Sequence, residues 1–344
     1  MSALVSVILP FFNEELLLAR AIDSVLQQSY PAVELILVND GSTDSSWSVA
    51  QNFKSRHPDI ILLDLPQHSL GHARNRGLEL VTGSYLAFLD SDDELEPGAI
   101  AQMVATLEDE NADMVIASFD RYGRQGQLLG STSPHIAATT ITATEAAIAM
   151  NRQLVARVAW AKLFKTSIAR RVAFPEGVWF EDGPYLMHYL YYCQAPVALS
   201  KAIVVRQHCR PQSLSRRLLS PRRISDTYRV FERELQLAAH FRERYRVERE
   251  VFAYYQRALL DNLVLLTLDR HQVLDRAKAE QIFTEACNSY LRLKRAHRIS
   301  SGPRTLWDSW LMRLPRITGW PAFYRLFALL KKGLFRKVIA VRAV

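Results

Sequence analysis

The sequence predicts an α/β fold with a mainly parallel sheet, followed by an α-helical C-terminal extension. Three observations predict it. Apolar runs of strand length, rich in β-branched residues, alternate with helix-period segments through the first hundred residues, as in βαβ crossovers. The runs close on polar residues (Asn13 and Glu14, Asn39 and Asp40, then Asp90, Asp92 and Asp93), at the strand ends where such sheets bind ligands. After about residue 215 strand signals stop, and long Arg/Glu/Leu-rich helical patterns take over.

The strand runs are Val5–Leu9, Val33–Val38, Ile60–Leu63 and Tyr85–Leu89. Between them, Glu14–Gln28 sets Leu17, Ala21, Val25 and Leu26 at helical spacing; Trp47–Arg56 and His72–Val81 supply two more helices. Met114–Phe119 reads as a further strand, Gly123–Ser133 as a Gly/Ser-rich turn region, and Thr142–Leu154 as a helix. Trp160–Arg171 and Phe174–Tyr192 form an aromatic-rich unit. Pro211 and Pro221 mark a boundary between a domain of residues 1–215 and a helical region of residues 216–344.

Composition is that of an ordinary globular chain, 49% hydrophobic and 23% charged. Cys193, Cys209 and Cys287 have no paired spacing, which indicates neither a disulfide framework nor a zinc cluster. The start lacks a basic leader, and no apolar run approaches the roughly 20 residues that span a bilayer. These features predict a cytoplasmic or membrane-peripheral protein. The net charge of +8 hides an asymmetry: residues 201–344 hold 30 basic and 12 acidic residues, residues 1–200 hold 13 and 23. An acidic front suits a metal, and a basic rear suits an anionic surface.

Five segments could carry chemistry. Phe88-Leu89-Asp90-Ser91-Asp92-Asp93 follows a strand, and its alternate carboxylates can converge on a hard cation such as Mg²⁺ or Mn²⁺. Taken alone, such a triplet is more often a solvated turn that caps the helix after Gly98. Val38-Asn39-Asp40-Gly41-Ser42-Thr43-Asp44 offers Asp40 to a base or ribose, or is simply turn chemistry. Pro10-Phe11-Phe12-Asn13-Glu14 could stack a nucleobase, or pack a ring into the core. Gly71-His72-Ala73-Arg74-Asn75-Arg76-Gly77 offers Arg74 to a diphosphate. His68 and His72 stand four apart, but no third zinc ligand lies near them in sequence. Phe174-Pro175-Glu176-Gly177-Val178-Trp179-Phe180-Glu181-Asp182-Gly183 sets two carboxylates among aromatics, suited to a general base or to a helix N-terminus.

In this order, with Trp160-Ala161-Lys162-Leu163-Phe164, these segments resemble the family 2 glycosyltransferases, from Ser6 to about Ser215, roughly 60% of the chain. The resemblance implies the GT-A fold, a Rossmann-like nucleotide-binding sheet with helices on both faces. It implies an inverting, metal-dependent transfer of a sugar from a nucleotide sugar, UDP-linked, to a glycan or lipid-linked hydroxyl in cell-surface polysaccharide synthesis. It implies Asp182 as base with Glu181 in reserve, and Pro10, Phe12, Glu14 and Asp40 around the base and ribose. Asp90 and Ser91 would face the nucleotide, Asp92 would ligate Mn²⁺ or Mg²⁺, and Arg74 would approach the diphosphate. Trp160, Lys162 and, in the looser Arg206–Ser215 match, His208, Arg210 and Ser213 would be donor or acceptor contacts.

Beyond 215, residues 291–344 hold 13 basic residues and one acidic one, Asp308. Phe323, Phe327, Leu330 and Leu334 share a helical face roughly opposite Arg325, Lys332 and Arg336. That pattern predicts attachment to an anionic membrane surface, the inner face of the cytoplasmic membrane, or else packing on the catalytic domain. A sugar-nucleotide-forming enzyme should carry a Gly-rich basic loop after the first strand, where Pro10–Glu14 stands. No nucleic-acid motif accompanies the basic rear, so no nucleic-acid partner is expected. The remaining alternative is a catalytically inactive nucleotide-sugar-binding or membrane-associated module.

Overall fold

In a computed structural model of the chain, residues 2–209 and 221–254 are described, apart from 245 and 252. Two compact units divide the chain, residues 1–218 with 229–254 and residues 219–228 with 255–344. The first unit holds the sheet and the helices packed on it.

β1 (Val5–Phe11), β2 (Val33–Asp40), β3 (Ile61–Leu65) and β4 (Tyr85–Phe88) are parallel and lie in the order β3-β2-β1-β4. The order runs outward from β1 through β2 to β3 and then returns to β4 on the other side of β1, so a crevice opens beside its C-terminal end, where α/β sheets bind ligands. Every residue of β1 is buried, as expected of a strand covered on both faces. Side chains alternate between those faces. Val5, Val7, Leu9 and Phe11 share a core with Leu18, Ala21, Ile22 and Val25 of α1 (Leu18–Leu26), with Ala50 and Phe53 of α2 (Ser46–Arg56), and with Ile100, Met103 and Leu107 of α4 (Ala99–Asp109). Ile8 points the other way, against α3 (Leu70–Leu80), where Gly77 lets the helix approach.

The sheet is mixed rather than mainly parallel. Beyond β4 it continues through β9 (Lys162–Lys165), β6 (Met114–Tyr122), β10 (Val197–His208) and β5 (Glu94–Leu95). β9 runs antiparallel to both β4 and β6, and β5 is antiparallel to β10. The expected turn region 123–133 contains a strand, β7 (Leu128–Thr132), pairing antiparallel with β6. Gly/Ser content there suggests a turn, but Gly130 stands within the strand opposite Arg121. β8 (Thr140–Ile141) pairs β10, and α5 (Ala143–Asn151) starts from a Thr142/Glu145 capping box.

The first helix begins four residues later than its apolar spacing suggests. Asn13 takes φ 54°, and its Oδ1 accepts the Thr43 N–H at 2.8 Å. The N–H groups of Glu14 and Glu15 donate to Ser46 Oγ (2.7 Å) and Asp44 Oδ2 (3.2 Å). The segment after β1 is thereby clasped to the loop after β2, with Asn13 outside the helical region of the backbone.

α6 (Thr166–Ala169) and α7 (Asp182–Tyr192) complete the unit up to β10, and α8 (Pro221–Ala238) follows it. The final stretch of α8 belongs to this unit, where Val230, Phe231, Leu235 and Ala238 are buried.

The Gly77 approach generates a test. A Cβ there would lie 2.7 Å from Ile8 Cγ2, inside contact distance and against a fully buried strand. Gly77→Ala gains about 1 kcal/mol of helix propensity but costs roughly 1–3 kcal/mol of overpacking. A net loss of stability in urea denaturation is the expected outcome.

Candidate active site

The crevice beside β1 collects three carboxylates from two distant parts of the chain around one guanidinium. Arg74 is on the buried face of α3, 1% exposed. Its Nη2 donates to Asp90 Oδ1 at 2.8 Å. Its Nη1 donates to Glu181 Oε1 at 2.7 Å and to Asp182 Oδ1 at 2.6 Å. The rings of Phe174 and Phe88 flank it, 5.2 and 5.8 Å from its carbon centre. Phe174 is stacked on Tyr185 of α7, with ring centroids 3.8 Å apart. These aromatics exclude water and so strengthen the charge contacts.

Titration is perturbed as that geometry requires. Burial works against the Arg74 charge, but Asp182, Asp90 and Glu181 together outweigh it and hold the guanidinium above its usual range. Burial pushes Asp90 up to about 6, with Arg74 opposing and the charges of Asp92 and Asp182 adding to the rise. Burial and then the Asp182 charge push Glu181 up to about 7 against Arg74. Burial lowers Lys162 to about 7, with Asp182 opposing. Such perturbed groups gathered in one cleft mark a functional site.

Local structure explains how the acidic pair is presented. Phe180 takes φ 69°, rare for a bulky residue, just before Glu181. Glu181 is the N-cap of α7 and Asp182 its first residue. The next residue is glycine, and a Cβ on Gly183 would displace the buried ends of Glu234 and Arg157. Arg157 pairs with the fully buried Glu234 of α8, and its Nη1 donates to Asn151 Oδ1 at 2.6 Å. Residues after 215 therefore help to hold the N-terminus of α7.

The other expected residues are distributed unevenly. Pro10 is buried within β1, while Phe12 (37% exposed) and Glu14 follow its end. Asp40 is buried at the end of β2, and its Oδ1 accepts the His68 N–H at 3.0 Å. Burial raises its carboxyl above the usual range, with that hydrogen bond and the two histidines opposing. Ser91 is buried, and Asp90, Asp92 and Asp93 have carboxylate oxygens within 4.8 Å of one another. Asp93 turns towards β10, accepting the His208 N–H at 2.8 Å. The His208 ring pairs with Glu94 at 2.6 Å. Trp160 is a core residue, 4% exposed and edge-on to Phe119 at 4.5 Å. Lys162 is buried, its Nζ donating to Ala156 O at 3.1 Å. Arg210, Ser213 and the basic amphipathic segment of residues 323–336 lie outside the described residues.

Arg74 departs most from its sequence reading: both terminal nitrogens are engaged by carboxylates, where an open phosphate ligand is expected. Sequence reasoning also misses Tyr185, Arg157 and Glu234. Only the positional oddity of two carboxylates amid aromatics points to the α7 N-terminus.

A mixed sheet whose first four strands are parallel, with a switch point beside β1 and carboxylates gathered at the strand ends, has the GT-A type of fold. Residues 6–172 match the model of glycosyl transferase family 2. That segment, just under half of the chain, is thus similar to glycosyl transferase family 2. The chain is 27% identical over 219 residues to the glycosyltransferase GlyA of Streptococcus pneumoniae, covering 62% of this chain and 31% of that one. It is 25% identical over 180 residues to a poly(ribitol-phosphate) beta-glucosyltransferase of Bacillus spizizenii, covering 50% and 27%. The chain thus spans about a third or less of these relatives' lengths. The structure of S. aureus TarS residues 1–349 with UDP-GlcNAc shares the fold, with TM-score 0.72 and 17% identity over 96% of this chain and 92% of that one.

The buried cluster leads to two expected outcomes. Arg74→Met would strand three carboxylates, and breaking a buried pair costs roughly 3–5 kcal/mol, so chemical denaturation should find the variant destabilised by about that much. Glu181 has a raised folded pKa, so its stabilising protonation is complete below about pH 4.5 and is lost as pH rises through about 7. Glu181→Gln should match wild-type stability in acid and exceed it above pH 7, flattening the wild type's decline across that window.

Proposed function

We propose that the chain is an inverting glycosyltransferase that moves a sugar from a nucleotide sugar, UDP-linked, to a hydroxyl of a glycan or lipid-linked acceptor in cell-surface polysaccharide synthesis. The observation that carries this reading is the gathering of Asp90, Glu181 and Asp182 on Arg74, beside Asp92. Pro10, Phe12, Glu14 and Asp40 border the base and ribose at the ends of β1 and β2, and Asp90 and Ser91 face the nucleotide.

Asp182 accepts the proton of the acceptor hydroxyl while that oxygen attacks the anomeric carbon opposite the departing diphosphate. One displacement inverts the centre, so an α-linked donor yields a β-linked product. Arg74 holds the Asp182 carboxylate in place, and its charge acts on the leaving group through space rather than through an open donor. Glu181, pushed up by burial to about 7, is the carboxyl held in reserve beside it.

The acidic cluster fits a hard divalent cation. Its oxygens lie close together, and the like charge that helps to raise Asp90 is the crowding such an ion relieves. Asp92 would hold Mn²⁺ or Mg²⁺, which when bound supplies positive charge to the diphosphate. The catalytic part is residues 1–215, and the basic residues 216–344 attach it to an anionic membrane surface on the cytoplasmic side. None of the described helices is long and apolar enough to cross a membrane.

The test is a donor panel with Mn²⁺, headed by UDP-GlcNAc because TarS was solved with it. We expect one preferred donor, weakened binding in Asp92→Ala, and in Asp182→Asn retained binding with turnover down roughly 10²–10⁴-fold. A product of retained configuration would overturn the mechanism. Absence of nucleotide-sugar binding under every metal condition would favour instead an inactive module that acts through its basic, membrane-associated C-terminal part.

A further inference from the structure

His68 and His72 lack a third ligand in the sequence around them, but the fold supplies one from a hundred residues away. Glu176 lies against the N-terminal turn of α3, its Oε2 3.0 Å from His72 Nδ1. The two imidazoles are 4.6 Å apart between centroids. One ligand atom from each of His68, His72 and Glu176 lies within 4.8 Å of the others. At zinc's usual bond lengths, tetrahedral ligand atoms lie about 3.3 Å apart, so closing the site needs only small rotations of solvent-facing side chains.

The surroundings are rigid where a metal site needs them to be. Asn75 Nδ2 donates to Glu176 Oε1 at 2.9 Å and to Phe174 O at 3.0 Å, and the Phe174 N–H returns to Asn75 Oδ1 at 2.8 Å. Gly177 N–H donates to Ser69 Oγ, the N-cap of α3, at 3.0 Å. Gly71 approaches so closely that a Cβ there would sit 2.5 Å from Pro175 O. An outer partner on the carboxylate ligand is characteristic of metal centres. The Asp40 carboxylate, hydrogen-bonded to the His68 backbone, adds negative charge nearby.

We propose that His68, His72 and Glu176 form a site for Zn²⁺, with water in the fourth position, separate from the acidic cluster around Asp92. Two imidazoles and one carboxylate select a borderline ion, whereas the all-carboxylate cluster suits a hard one. Bound there, zinc ties the N-terminus of α3 to the segment that leads into Glu181 and Asp182. The site is independent of the transferase reading.

Equilibrium dialysis of the full-length chain against Zn²⁺ tests it, with His68→Gln, Glu176→Gln and Asp92→Ala beside wild type. His68→Gln alters an exposed side chain, and Glu176→Gln keeps an acceptor for Asn75, so both should fold. Wild type and Asp92→Ala should bind one equivalent more than the other two, or bind it more tightly by over the roughly 10–100-fold that loss of an outer partner costs. Zn²⁺ should raise the melting temperature of wild type more than that of either ligand variant. Co²⁺ in its place should give the strong visible absorption of a four-coordinate ion in wild type and Asp92→Ala but in neither ligand variant. Equal zinc binding in wild type, His68→Gln and Glu176→Gln would overturn the proposal, as would loss of the equivalent in Asp92→Ala alone.

Discussion

One buried cation holds this site together. Arg74 has lost nearly all contact with water, and a guanidinium in that position is tolerable only if anions replace its hydration. Asp90 is placed by the end of β4, and Glu181 and Asp182 by the start of α7, so satisfying Arg74 joins the sheet, α3 and α7. Three carboxylates on one cation leave net negative charge in a place of low dielectric. Burial, with that excess charge added to it, raises Asp90 to about 6 and Glu181 to about 7, above the usual carboxylate range. The excess also leaves the crevice prepared for positive charge brought by a metal.

The scaffold meets this demand by covering the sheet differently on its two sides. One face is an apolar core with α1, α2 and α4. The other carries α3, close enough through Gly77 to send Arg74 towards the strand ends, and the Phe88–Phe174–Tyr185 rings that shield it. Support also comes from beyond the first 215 residues: Glu234, paired with Arg157, packs closely against Gly183. A residue distant in sequence thus constrains the backbone next to Asp182.

Local patterns are informative where a local cause governs the outcome. The four parallel strands lie within two residues of their apolar runs, because buried parallel strands need unbroken hydrophobic stretches. Periodicity starts the helix after β1 too early because the residues around Asn13 are held against the loop after β2, a neighbour that periodicity does not encode. β7 is hidden because Gly130 and its Ser/Thr neighbours resemble a turn until β6 is known to lie beside them. Within the site, Asp40, Asp90 and Asp92 are recognisable as polar residues closing strands. Arg74 is recognisable only as a charge on a short helix, and Trp160 only as a motif residue.

The sequence by itself determined the alternation of strands and helices, the carboxylates at the strand ends and the resemblance to family 2 glycosyltransferases. Period and composition act over a few residues, and ordered motifs can be read without coordinates. Only the tertiary structure decided that Arg74 faces inward to three carboxylates, that Trp160 is core, that Glu234 abuts Gly183, and that Glu176 joins His68 and His72. Each of these depends on elements some tens to over a hundred residues apart being folded against one another. A side chain's burial and its charged neighbours exist only after that packing is complete.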